Sequence, residues 1–242
     1  MTRLDLLLVE RGEFTSREKA RRTIMAGRVK VDGRLVDKPG AAVAPGARLE
    51  VAAPAEPFVS RGGRKLAHAL DHFGVDPAGA VCVDVGASTG GFTHCLLERG
   101  ARRVYAIDVG YGQLDYALRR DPRVVVMERV NARALTPGDL PEECDLATVD
   151  VSFISLTKVL PAVTSLVRRG GRLIALVKPQ FEVGKGQVGK GGVVRDEVLR
   201  REVIERRIVD FEAAGLSCHG WIDSPIRGAR GNLEALVLLE RP

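Results

Sequence analysis

Two charged residues sit where apolar strand-like runs end. Lys178 follows Leu173-Ile174-Ala175-Leu176-Val177, and Asp150 falls at the close of the run 144–151. An unpaired lysine in such a place is expensive to bury. The two therefore either form a structural ion pair at a sheet edge or act together on a substrate. Two further acids close apolar runs, Asp84 after Val81-Cys82-Val83 and Asp108 after Tyr105-Ala106-Ile107, and Asn131 follows the run 123–129. In an open α/β sheet, ligands gather at the carboxyl ends of the strands. Acids, an amide and a lysine at successive strand ends thus describe one crevice.

The turn after Asp84 has its own chemistry. Gly86-Ala87-Ser88-Thr89-Gly90-Gly91-Phe92 links a β-branched run to a helical pattern that continues to Arg99. Strand, tight turn and helix N-terminus make a cofactor corner, and glycine there lets backbone approach a ligand. A dinucleotide site has G-x-G-x-x-G, whereas this turn reads G-x-x-x-G-G. Asp84 suits the ammonium of S-adenosylmethionine. Asp108 can accept both hydroxyls of an adenosine ribose, a device NAD sites share, and Asn131 can reach the adenine edge. The candidate cofactor residues are Asp84, Gly86, Ser88, Thr89, Gly90, Gly91, Phe92, Asp108, Asn131 and Asp150. The plain alternative is a strand–turn–helix corner without a ligand.

The elements that must position these residues alternate. Strand-like runs at 81–86, 103–109, 123–129, 144–151 and 172–178 are separated by helical patterns at 91–99, 113–120 and 155–169, with a shorter connection near 135–140. A long helix over 195–214 precedes a final strand over 232–239. Such alternation predicts an α/β fold, a mostly parallel sheet with helices on both faces. A helix should follow Lys65 to Phe73.

Residues 1–53 are patterned differently. Leu4, Leu7 and Leu8 suggest a short helix. A second, capped by Thr15 or Ser16, runs through Ala20, Ile24 and Met25 and stops at Gly27. Short strands follow, and Asp32-Gly33 between two of them is a hairpin signal. From Arg11 to Lys30 there are seven basic residues against two acids, most of the chain's formal charge of +6. Residues 54–59 read as a proline-containing linker, and the second domain spans 60–242.

Several classes are excluded. No apolar run approaches the ~20 residues of a membrane span, and the N-terminus does not read as a signal peptide. The four cysteines show no C-x-x-C pair and are expected to be free thiols in a reducing cytoplasm. His68 and His72 lack an evident third ligand, so no metal is expected. Gly184–Gly191 approximates a P-loop but has glycine where Ser or Thr would bind magnesium. It reads instead as a basic loop beside the site, with Lys185 and Lys190 near phosphates, or as a surface linker.

The first segment resembles the S4 RNA-binding domain through Arg3-Leu4-Asp5, Ser16-Arg17-Glu18-Lys19-Ala20 and Gly27-Arg28-Val29-Lys30-Val31-Asp32-Gly33. The whole chain resembles the TlyA-type hemolysin/rRNA methyltransferases, a branch of the FtsJ-like 2′-O-methyltransferases. The motifs are Ser60-Arg61-Gly62-Gly63-Arg64-Lys65-Leu66, Asp84 to Thr93, Asp150-Val151-Ser152-Phe153-Ile154-Ser155-Leu156, Val177-Lys178-Pro179-Gln180-Phe181-Glu182 and Gly231-Asn232-Leu233-Glu234. The resemblance implies a Rossmann-like, seven-stranded methyltransferase domain with an antiparallel last strand, behind a small α+β S4 domain. It implies S-adenosylmethionine as cofactor and a catalytic tetrad of Lys65, Asp150, Lys178 and Glu234. It also implies RNA contacts at Arg3, Arg17, Arg21, Arg28, Lys30, Arg61 and Arg64, and a cytidine in ribosomal RNA as target. A cytoplasmic monomer working on ribosomal subunits, away from membranes, is expected.

That chemistry is coherent. A ribose 2′-hydroxyl is a poor nucleophile and must be aligned with the sulfonium methyl as it loses its proton, so positioning can supply ~7–11 kcal/mol. Lys178 either takes the proton, which requires a neutral amine, or stays charged and stabilises the developing alkoxide. Lys65 and burial favour the first state, Asp150 and Glu234 the second. A cytosine C5 methyltransferase would need a Pro-Cys pair, and an amino-group methyltransferase an Asn/Asp-Pro-Pro-aromatic run; neither follows position 149. The rival classes are a non-catalytic RNA-binding or ribosome-assembly factor, and a membrane-active hemolysin, which has little physical basis without a spanning segment.

Overall fold

The run Val81–Val85 is buried at every position, which suits a strand covered on both faces. The computed structural model describes residues 1–14, 16–25, 27–52, 57–184, 188–189 and 191–242. The chain divides into two compact units, Met1–Ala55 and Glu56–Pro242. The linker expected over 54–59 lies partly outside the described residues.

In the first unit, β1 (Thr2–Arg3), α1 (Leu4–Glu10), α2 (Arg17–Met25), β2 (Val29–Val31), β3 (Arg34–Leu35), β4 (Ala42–Val43) and β5 (Leu49–Val51) follow in order. Leu4, Leu7 and Leu8 pack with Ala20, Ile24, Val29 and Val43 into one small core. Asp32 (φ 48°) and Gly33 (φ 78°) are consecutive left-handed residues, and they turn β2 into antiparallel β3. The pairing of β1 with β4 was not anticipated from sequence; two-residue strands carry no periodicity. Of the two caps proposed for α2, Thr15 lies outside the described residues, and the Ser16 hydroxyl accepts the Lys19 amide.

The second unit contains α3 (Gly62–Phe73), β6 (Val81–Val85), α4 (Gly91–Glu98), β7 (Arg103–Asp108), α5 (Tyr116–Arg119), β8 (Val124–Glu128), β9 (Cys144–Val149), α6 (Leu160–Ser165), β10 (Val167–Val177), α7 (Pro179–Glu182), α8 (Glu197–Ala213), β11 (Ser217–Asp223) and β12 (Ala235–Glu240). Seven strands form one sheet in the order β11-β12-β10-β9-β6-β7-β8. Strands β10, β9, β6, β7 and β8 run parallel. Strand β12 inserts antiparallel to both β10 and β11. Alternate residues feed two cores. Val83, Val149, Ala175 and Val237 meet Leu160, Val163, Ile204 and Phe211 on one face. Cys82, Leu146, Ile174 and Leu236 meet Leu66, Leu70, Cys95 and Leu96 on the other.

Two helices expected from sequence are shorter. The pattern over 155–169 becomes a single 3₁₀ turn, Leu156–Lys158, and the short α6, because Val167, fully buried, already pairs with Cys144 in the sheet. A register shift between Val167 and Arg172 absorbs the irregularity. The pattern over 113–120 contracts to α5, whose N-cap Asp115 accepts the Ala117 amide at 2.8 Å. Conversely, α3 starts at Gly62, ahead of Lys65.

Two predictions follow from local geometry. Gly86 has φ 85°, and a Cβ there would lie 2.3 Å from the Asp150 carbonyl oxygen, whereas Gly74 (φ 61°) faces open space. Gly86→Ala should therefore cost roughly 2–4 kcal/mol in chemical denaturation and Gly74→Ala only about 1 kcal/mol; equal costs would refute the close-approach argument. In the first unit, Asp5 is fully buried. The Arg3 side chain bonds both its oxygens, at 3.0 and 3.1 Å, and Arg17 Nε donates at 2.9 Å. The hydrogen bonds from Arg3, opposed by burial and reinforced by Arg17, hold the carboxyl at about 2, below the ordinary 3.8. A lowered folded-state value means stability that is present above the unfolded value and lost as pH falls through the folded one. Amide exchange protection of α1 and α2 should thus be higher than in Asp5→Asn at neutral pH, with the difference vanishing toward pH 2.

Candidate active site

The chain visits β6, β7 and β8 on one side of the sheet and then crosses to β9 on the other side of β6. Such a reversal opens a crevice at the strand carboxyl ends. Gly86 directly follows β6 and Asp150 directly follows β9. The Asp150 amide donates to Val85 O at 2.9 Å, and Gly86 lies against the Asp150 carbonyl where no Cβ fits. The first glycine of the turn is therefore required by the protein's own backbone. Gly90 and Gly91 are likewise closed in by Leu118 and Leu114, and by Ser60 and the Gly63 backbone.

A cavity of about 500 Å³ opens beside this junction. Its walls bring together Lys65 from α3, Asp150 after β9, Lys178 after β10 and Glu234 before β12. Lys65 Nζ donates to Glu234 Oε2 at 2.5 Å. Lys178 Nζ lies 2.6 Å from Asp150 Oδ1 and donates to Ser152 Oγ at 2.8 Å. Lys65 and Glu234 are 8% and 2% exposed, so that pair is nearly dry. A Cβ at Gly228 would fall 2.0 Å from the Glu234 carboxylate, so glycine leaves room for the acid. The two lysines each have an acid partner, and the four groups are charge-balanced.

A second cavity, about 540 Å³, shares Gly86, Ser88, Asp150, Ser152 and Phe153 with the first. Asp108 and Asn131 line its far part, with Ile107, Val130 and Val151 supplying apolar walls. The Asp108 carboxylate accepts the Ser88 amide at 2.8 Å and the Gly110 amide at 2.7 Å, which fixes its orientation and leaves one lone pair on each oxygen. Asn131 Oδ1 accepts the Arg133 amide at 3.2 Å.

Asp84 differs from expectation. Its carboxylate lines neither cavity. It is fully buried behind the turn and accepts Thr93 Oγ1 at 2.7 Å and Thr148 Oγ1 at 2.9 Å. Burial, partly offset by these two hydroxyls, pushes it up to about 6. The side chain ties α4 and β9 to β6, so direct pairing with a ligand's ammonium is not its place in this structure. Thr89, Gly91 and Phe92 do line the first cavity, while Gly90 does not.

Several residues at the site carried no role in the sequence reading. Ser152 holds Lys178. Phe153 is 90% exposed at φ 64° and lies with its ring 5.1 Å from that of Phe181. Arg227 lines the first cavity, as does Gln180, whose buried Oε1 has no hydrogen-bond partner among the described residues. Only the alternation of Arg and Gly in Arg227-Gly228-Ala229-Arg230-Gly231 signalled that loop.

The basic candidates divide between the units. Arg21 and Lys30 are exposed in the first, and Arg28 is half-buried with Nε lacking a partner among the described residues. Arg3 and Arg17, each half-exposed, are oriented by Asp5. In the second unit, Arg61 lines the first cavity and Arg64 is exposed on α3. Lys185 and Lys190 lie outside the described residues. No helix among the described residues is long and apolar enough to cross a membrane.

Comparison with known proteins identifies the family. Residues 58–241 match the FtsJ-like methyltransferase family and residues 2–49 the S4 domain. A 16S/23S rRNA (cytidine-2′-O)-methyltransferase TlyA of Mycobacterium tuberculosis is 49% identical, over 98% of this chain and 89% of its own. A protein named Hemolysin A from Brachyspira hyodysenteriae is 41% identical over 97% of this chain and 98% of its own. A solved structure from Streptococcus thermophilus, whose title also carries the word hemolysin, superposes with a TM-score of 0.76 at 42% identity, covering 99% of this chain and 88% of that one. With the S4 match ahead of a methyltransferase sheet whose crevice gathers two lysine–carboxylate pairs, the chain belongs to the FtsJ-like methyltransferase family.

Proposed function

We propose that this protein transfers a methyl group from S-adenosylmethionine to a ribose 2′-hydroxyl of ribosomal RNA. The observation that carries the reading is the pair of adjoining cavities that meet at Gly86, Asp150 and Ser152. One suits an adenosine: an apolar slot with an oriented carboxylate, Asp108, and an amide, Asn131. The other holds Lys65, Asp150, Lys178 and Glu234 and suits a hydroxyl acceptor. When bound, S-adenosylmethionine would supply an electrophilic sulfonium methyl, and Asp108 and Asn131 are the residues that would hold its adenosine.

The residues of the chain then act by position and charge. Lys178 Nζ, held by Asp150 and Ser152, is aimed at the acceptor oxygen and either takes its proton or stabilises its developing charge. Asp150 Oδ1 at 2.6 Å holds Lys178 Nζ in one position, which suits a role in stabilising charge at the acceptor oxygen. Lys65, fixed by Glu234 in the same cavity, helps to hold the ribose. Phe153 and Phe181 offer an exposed aromatic surface on which a base can stack. Arg21, Arg28 and Lys30 of the S4 domain, with Arg3 and Arg17, supply phosphate contacts that bring structured RNA to the protein. The Mycobacterium relative's name specifies a cytidine in 16S and 23S rRNA, and the same nucleotide is proposed here. With that substrate, the proposed place of work is the cytoplasm, with the ribosomal subunits.

Mapping of ribose methylation in unmodified ribosomal RNA incubated with protein and S-adenosylmethionine tests the reading. Wild-type protein should mark a single 2′-oxygen class. Lys178→Ala should lower kcat by at least about 100-fold, while calorimetry with S-adenosylmethionine and filter binding of RNA stay close to wild type. Near-normal transfer by that variant would remove Lys178 from the chemistry.

A further inference from the structure

A third cavity, about 400 Å³, adjoins the acceptor side of the site. Arg195, Arg200, Arg227 and Arg230 line it, and Glu197 is its one acid. Arg227 is common to this notch and to the cavity of Lys65 and Lys178.

The arginines are not equivalent. Arg200 is 3% exposed and spent: it bonds Glu197 and, at 2.7 Å, Asp223. That pairing also answers the charge of Glu197. Arg227 Nη1 donates to Gly231 O at 3.0 Å, which leaves most of its guanidinium uncommitted. Arg195 and Arg230 are exposed, and neither has a carboxylate partner among the described residues. Arg230 has φ 59°, a left-handed conformation that costs a side-chain-bearing residue about 1 kcal/mol. Non-glycine residues persist there when the surroundings hold them and often mark function.

The notch is also built. Asn232, 2% exposed, accepts the Val194 amide on Oδ1 at 3.0 Å and donates from Nδ2 to Gly192 O at 2.9 Å. Its own carbonyl accepts the Gly228 amide at 2.9 Å. One buried amide side chain thus ties the segment carrying Arg195 to the loop carrying Arg227 and Arg230.

We infer that this arginine notch binds the backbone phosphodiester next to the acceptor ribose and so sets which 2′-oxygen reaches Lys178. The inference rests on the proposed ribose methylation. On a ribose, the 2′-hydroxyl is on the carbon beside the one bearing the 3′-phosphodiester. Any pose that seats the hydroxyl at Lys178 therefore brings a phosphate close by, and that charge needs a cationic partner. Lys65 and Lys178 are already paired with acids, whereas Arg227 faces both cavities and Arg195 and Arg230 extend its charge outward. Planar guanidinium groups match phosphate oxygens in bidentate fashion.

The test compares wild-type protein with Arg195→Gln/Arg230→Gln and Arg195→Lys/Arg230→Lys, using unmodified ribosomal RNA at saturating S-adenosylmethionine. The glutamine variant should raise KM for RNA about tenfold or more at 0.1 M salt and lower the salt slope of kcat/KM by about two. The lysine variant should keep the slope, and if the glutamine variant misfolds in a thermal melt, each single glutamine variant should lower the slope by about one. Unchanged KM and slope would overturn the inference. So would loss of S-adenosylmethionine affinity in calorimetry with RNA affinity intact, which would assign the notch to the donor's carboxylate. If wild-type protein methylates no ribose, the functional reading fails on its own, and filter binding of the same RNA to the same variants still decides whether the notch holds phosphate.

Discussion

The structure depends on one close approach, that of Gly86 to the backbone of Asp150. The ends of β6 and β9 converge where the sheet reverses its order, and a side chain at position 86 would collide with the Asp150 carbonyl. The contact fixes the strand end that carries Asp150. Through Asp150 it fixes Lys178, and it forms the wall common to both cavities. Glycine at a cofactor turn is usually explained by room for the ligand. Here the room is first needed by the protein, and the two adjoining cavities are the consequence.

Around that point the site is an exercise in charge balance. Removing a lysine or a carboxylate from water is costly, and the cost is offset when opposite charges meet at short range with further hydrogen bonds. Lys65 with Glu234, and Lys178 with Asp150 and Ser152, satisfy this condition. Pairing also holds two long, flexible side chains in single positions, which a positional mechanism requires. Asp84 shows the opposite solution. Buried with two hydroxyls and without a cation partner among the described residues, it is pushed toward its neutral form by burial and serves to tie elements together.

The S4 domain applies the same physics. Asp5 is buried and orients Arg3 and Arg17, so part of the basic face is held in place from beneath. Guanidinium groups carry five donors, and Asp5 engages only some of those on Arg3 and Arg17. A carboxylate within a basic surface thereby lowers net charge slightly and gains fixed geometry.

The charged strand ends, the glycine turn, the two-part organisation and the basic first domain were all legible in the sequence, because each is encoded locally by period, turn chemistry and charge density. The four residues of the proposed site were reachable through motif resemblance, and a Lys178–Asp150 ion pair was one of two readings of their strand-end positions, yet the pairing of Lys65 with Glu234 was not legible. Lys65 and Glu234 are 169 positions apart, and only the insertion of β12 beside β10 brings the acid to α3. The helix expected over 155–169 failed for a related reason: Val167 gains more by pairing in a buried sheet than by extending a helix. Tertiary structure likewise moved Asp84 out of the cavities and brought Arg227, Arg195 and Arg230 to one notch. Local patterns specify which elements form and what their ends carry; the order of strands specifies which ends meet, and that order is set by long-range burial that no short window of sequence contains.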